Sequence, residues 1–131
     1  MRKDIEIPVV ENVYVAVVKE WNEEFLAQDW NAYIINDRNT PIEMVLVVTK
    51  GYDGDQKTSL LRHGIGTIAA KSSAKIEMLQ EELLQMNNEF AVTFFADNKL
   101  FERKYIFRKN TINEKAFQDL PVMDQRGILV K

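Results

Sequence analysis

A chain of 131 residues, 46% hydrophobic and 28% charged, has the size and composition of one domain with a core of its own. Its net charge of −3 removes the general attraction to phosphate backbones and anionic lipid that clustered Lys and Arg provide, so nucleic acid is disfavoured as a partner. With no cysteine, thiol nucleophiles, disulfides and Cys-ligated zinc drop out together. The opening Met-Arg-Lys-Asp-Ile-Glu-Ile-Pro lacks the apolar core of a signal peptide, and the longest apolar run, Met44 to Val48, is too short to span a bilayer. The expected address is the cytoplasm, with no membrane association.

Along the chain, Asp4 to Pro8 reads as a short edge strand ended by proline. Val13 to Lys19 follows, nearly apolar on both faces. The carboxylate-rich segment Glu20 to Asp29 separates it from Trp30 to Asn36. Asn36 to Pro41 has turn composition, and Ile42 to Lys50 places Ile42, Met44, Leu46 and Val48 on one face of a central strand. Gly51 to Asp55 is a second turn. Lys57 to Ile68 is a weaker extended pattern interrupted by Gly64 and Gly66, as at a bulge or sheet crossing. Ser73 to Leu79 sets Ala74, Ile76 and Met78 against Lys75 and Glu77, and Glu81 to Met86 has the composition of a helical turn. The strongest pattern is Phe90 to Phe107, two alternating runs hinged on Ala96-Asp97-Asn98-Lys99, which predicts a hairpin. In the tail, Thr111 with Glu114 fits a capping box and Asn113 is the other candidate cap. Either predicts one short helix ending before Pro121, with Ile128 to Val130 as a last extended piece.

No repeat or linker divides residues 1–131, so one domain is expected. Seven or eight short strands with regular turn signals predict an all-β, antiparallel, immunoglobulin-like β-sandwich with a short C-terminal helix; a small closed barrel is the alternative. The predicted core is Trp30, Ile34, Leu46, Val48, Ile76, Phe90, Val92, Phe94, Tyr105 and Phe107, with face assignment open by one residue.

Candidates for chemistry are few. His63 is the only histidine, flanked by Arg62 and Gly64, but a serine triad needs an orienting carboxylate and a nucleophile on an elbow, and no G-x-S-x-G is present. Asp53 and Asp55 around Gly54 begin like a calcium loop, yet Gln56-Lys57-Thr58-Ser59 supplies no matching ligands. Gly64-Ile65-Gly66 opens a dinucleotide fingerprint whose sixth position is Ala69. If the strands are neighbours, Lys57, Arg62, Lys71 and Lys75 converge with Arg103, Lys104, Arg108 and Lys109. Arg62, His63 and Arg103 are then the residues expected to bind an anion, a nucleotide or an acidic partner; solvated strand faces account for the same residues. Trp21 and Phe25 make a partner-binding patch if exposed together, although the preferred expectation tucks them over the open end of the core. No catalytic residue, metal or cofactor is expected.

Trp30 to His63, WNAYIINDRNTPIEMVLVVTKGYDGDQKTSLLRH, with Ala91 to Pro121, AVTFFADNKLFERKYIFRKNTINEKAFQDLP, resembles a family of short bacterial proteins labelled phenylalanyl tRNA synthetase alpha subunit. The resemblance runs almost end to end. It implies a link to charging of tRNA with phenylalanine, using ATP and magnesium, or an accessory module of that enzyme. Gly64-Ile65-Gly66 is not followed by the Arg and Gly pattern of the third synthetase motif, so the resemblance carries no catalytic residue onto this chain. The residues themselves lead to a nonenzymatic binding or assembly domain that engages a protein, a second copy included, through sheet edges or the basic outer face.

Overall fold

Among the described residues, the alternation that begins at Val13 is realised as ten strands, all of whose pairings are antiparallel, in two sheets. The computed structural model describes residues 8–130, so the strand expected over Asp4 to Pro8 lies, apart from Pro8, outside the described residues. The strands are β1 Val13–Asn22, β2 Ala27–Asn36, β3 Ile42–Asp53, β4 Gln56–Lys57, β5 Leu61–Ile68, β6 Ser72–Leu79, β7 Asn87–Ala96, β8 Lys99–Phe107, β9 Gln118–Asp119 and β10 Arg126–Val130. One sheet runs β6-β2-β1-β10-β9. The other runs β4-β3-β7-β8, with β5 beside β4 on the same flank of β3.

The core fills the space between the sheets. Val13, Val15, Val17 and Ile34 of the first face Val45, Val47, Phe90, Val92, Phe94, Tyr105 and Phe107 of the second. Phe94 stacks on Phe101 at 5.1 Å between ring centroids, and Phe90 meets Phe107 edge-on at 5.7 Å. The Tyr105 hydroxyl donates to the Val13 carbonyl at 2.6 Å, tying one sheet to the other. A smaller cluster of Ala16, Val18, Ile35 and Leu120 covers the outer side of the first sheet. The predicted hairpin is present: Ala96 pairs with Lys99, and the two central residues Asp97 and Asn98 adopt φ of 54° and 61°, as a type I′ turn requires.

Three expectations need correction. The described residues form ten strands in two sheets, where seven or eight were expected, partly because β4 and β9 are two-residue pieces. Leu46 and Val48 are not core: Leu46 is 37% exposed, while Val45 and Val47 are buried. The cause is an extra residue at Met44. Between Glu43 and Leu46 the strand advances three residues against two on β7, and Met44 takes φ of 51° at the bulge, so the inward parity switches from even to odd. The short C-terminal helix is a single 3-10 turn, Glu114–Ala116. Asn113 caps it by accepting from the Lys115 amide, but Phe117 returns to extended backbone and packs edge-on against Trp30 at 5.8 Å. Gln118–Asp119 then pair with β10, so strand pairing ends the helix well before Pro121.

Candidate functional site

The segment Glu20 to Asp29, expected to separate two strands, instead extends both of them. β1 and β2 stay paired through Glu20 with Asp29, Trp21 with Gln28, and Asn22 with Ala27. Their neighbours stop earlier: β10 reaches only Val18 on β1, and β6 only Trp30 on β2. The last three rungs therefore project as an arm about 10 Å beyond the sheet. Trp21 continues the inward-facing stripe Val13, Val15, Val17, but it lies beyond the ends of β10 and β6 and is 51% exposed. The expectation that Trp21 and Phe25 fold over the core is thus replaced: Phe25 and Leu26 are 72% and 70% exposed at the tip.

The tip is held in shape. Asn22 Oδ1 accepts from the amides of Glu24 and Phe25, at 2.9 and 3.2 Å, while its Nδ2 donates to Asp29 at 2.7 Å. Leu26 takes φ of 51° to close the loop. At the arm's base, Glu20 accepts from Asn31, Tyr33 and Gln125 at 2.8, 2.7 and 2.6 Å. Burial, then the hydrogen bond to Glu20 and its charge, push the Tyr33 phenol up to about 12. Between Glu20 and Asp29 the chain carries Glu20, Glu23, Glu24 and Asp29 and no basic residue, so the apolar tip has an acidic surround.

The predicted basic site is not assembled. In the sheet order β5 and β8 lie on opposite flanks, with β3 and β7 between them, which keeps Arg62 and His63 away from Arg103. Arg62 and His63, being adjacent on β5, point to opposite faces. Arg62 is exposed beside Val48; His63 turns inward beside Val47. Arg103 lies over its neighbour Tyr105, with its guanidinium carbon 4.3 Å from the ring centroid.

His63 does find a carboxylate, one the alternation pattern assigned to the outside. β6 is bulged against β2, where Lys75 pairs with Tyr33 and Glu77 with Ala32, leaving Ile76 as the extra residue. The bulge turns Glu77 toward the core side and leaves Met78 exposed. Glu77 Oε1 lies 2.7 Å from His63 Nε2 and accepts from Thr49 Oγ1 at 2.8 Å. The order differs from that of a serine triad, since the threonine hydroxyl donates to the carboxylate and not to His63. One oxygen thereby joins β3 and β5 to β6 where the two sheets meet. A cleft of about 270 Å³ adjoins it, lined by Thr49, Gly51, Leu61, Glu77, Leu83 and Phe90 among others.

Among the described residues no group of three or more His, Asp or Glu side chains is placed to hold a metal ion. Asp53 pairs with Lys109 at 3.2 Å, and Asp55 lies in the turn between β3 and β4. No helix of the described residues is long and apolar enough to cross a membrane. The chain matches no protein-family model, and no curated protein matches it.

Proposed function

We propose that this protein is a nonenzymatic binding domain whose contact with another protein is made by the end of the β1–β2 arm. The observation that carries this reading is the exposure of Trp21, Phe25 and Leu26 together on a hairpin end locked by Asn22. Scattered apolar side chains are ordinary on a surface, but aromatic anchors grouped on a rigid projection are the usual source of interface energy. The carboxylates around them suit an apolar pocket rimmed by Lys or Arg. A cytoplasmic location belongs to this proposal, supported by the absence of cysteine, as does an immunoglobulin-like reading of the two packed antiparallel sheets.

A photo-crosslinking side chain at Phe25, in cells expressing the full chain, is expected to give one adduct of defined mass that disappears when Leu26→Ser is added. A strictly monomeric chain that yields no adduct, or an adduct indifferent to Leu26→Ser, refutes the proposal. The accessory role beside phenylalanyl tRNA synthetase that the resemblance implies predicts something different, phenylalanine-dependent ATP and pyrophosphate exchange that requires this chain.

A further inference from the structure

β8 is the longest strand at the flank of either sheet: nine residues, Lys99–Phe107, hydrogen-bonded to β7 alone among the described strands. An unpaired edge of this length is a template for another strand. Its outward side chains are Leu100, Glu102, Lys104 and Ile106, with Leu100 and Ile106 at 51% and 36% exposure. Glu102 and Lys104 are exposed and make no ion pair among the described residues.

These four residues read as their own complement in reverse. We infer that β8 pairs antiparallel with β8 of a second copy about a two-fold axis through Arg103, so that the β3-β7-β8 sheet continues into the partner. In that register each Leu100 lies opposite the partner's Ile106 and each Glu102 opposite the partner's Lys104. The neighbouring registers do not work. A slip that keeps the faces aligned sets Glu102 against its own copy when centred there, or Lys104 against its own copy when centred there. A slip by one residue turns the outward set inward. Arg103 falls on the axis, but each guanidinium leans over its own Tyr105. The two Tyr105 positions are four residues apart along the paired strands, about 13 Å, so the like charges are carried away from each other. A two-fold pairing uses up both edges and closes, which stops further addition at this site.

This contact is separate from the arm, and the experiment keeps the two apart. Sedimentation equilibrium of the full chain is expected to show a dimer that Glu102→Lys or Lys104→Glu weakens on the order of tenfold, since each reversal sets two like-charge pairs across the axis. The combined exchange, Glu102→Lys with Lys104→Glu, restores the dimer. The chain has no cysteine, so Arg103→Cys gives a single thiol on the axis that crosslinks to its copy on oxidation. Leu100→Cys does not crosslink, because its copy is about 20 Å away along the pair. A strict monomer at every attainable concentration, or a dimer blind to the charge reversals, overturns the inference. If such a dimer is instead lost with Phe25→Ser, the self-contact belongs to the arm.

Discussion

Tyr105→Phe removes one oxygen atom and tests whether the two sheets are tied as described. The hydroxyl donates to the Val13 carbonyl at 2.6 Å from a residue with no exposed surface, so its loss takes away a buried hydrogen bond with no water to replace it. The expected cost at neutral pH is about 1 to 3 kcal/mol. A second signature appears in alkali. Burial, opposed by the nearby Arg103, pushes the Tyr105 phenol from 10.0 up to about 12. The folded state therefore holds this proton more tightly than the unfolded chain does. That contribution is complete below about pH 10, is lost as pH rises from about 10 to about 12, and is on the order of 2 to 3 kcal/mol in full. Phenylalanine has nothing to ionise, so the wild-type advantage shrinks by that amount as pH rises through this window, to about zero or below. Tyr33, also pushed up to about 12, titrates in both proteins and cancels in the difference. Urea unfolding followed by tryptophan fluorescence at pH 7 and at steps above pH 9 measures both effects. A neutral-pH difference under about 0.5 kcal/mol, or a difference that stays constant into alkali, refutes the reasoning.

Met44 holds φ of 51° at the β3 bulge while 71% exposed, so Met44→Gly is expected to stabilise the fold by about 1 kcal/mol, read as a higher urea midpoint with unchanged m-value. A lower midpoint says the side chain contributes more than its strained backbone costs. Gly127 on β10 lies so close to β1 that an added Cβ meets the Val17 carbonyl oxygen at 2.5 Å. Gly127→Ala is expected to cost about 3 kcal/mol by forcing β10 off β1, and a thermal midpoint within a degree or so of wild type contradicts that packing.

Much of this molecule follows from short-range rules. Side chains alternate because the backbone is extended, so Phe90 to Phe107 declares a hairpin and Asp97-Asn98 its turn. The same local rule offered Thr111 and Asn113 as caps, and the structure uses Asn113. The residue types also limited the chemistry, since the absence of cysteine excludes thiol nucleophiles, disulfides and Cys-ligated metal. What the sequence could not supply is register and partner. The extra residues at Met44 and Ile76 alter which side chains face the core, and each bulge is defined only against a neighbouring strand, β7 or β2. Thus Val45 and Val47 displaced Leu46 and Val48, and Glu77 came to meet His63. Strand order is likewise a property of the assembled sheets: β3 and β7 stand between β5 and β8, which keeps Arg62 and His63 apart from Arg103. The exposure of Trp21 and Phe25 depends on where β10 and β6 end along β1 and β2. Periodicity belongs to a strand by itself, whereas a face, an edge and a projection exist only relative to what is packed alongside.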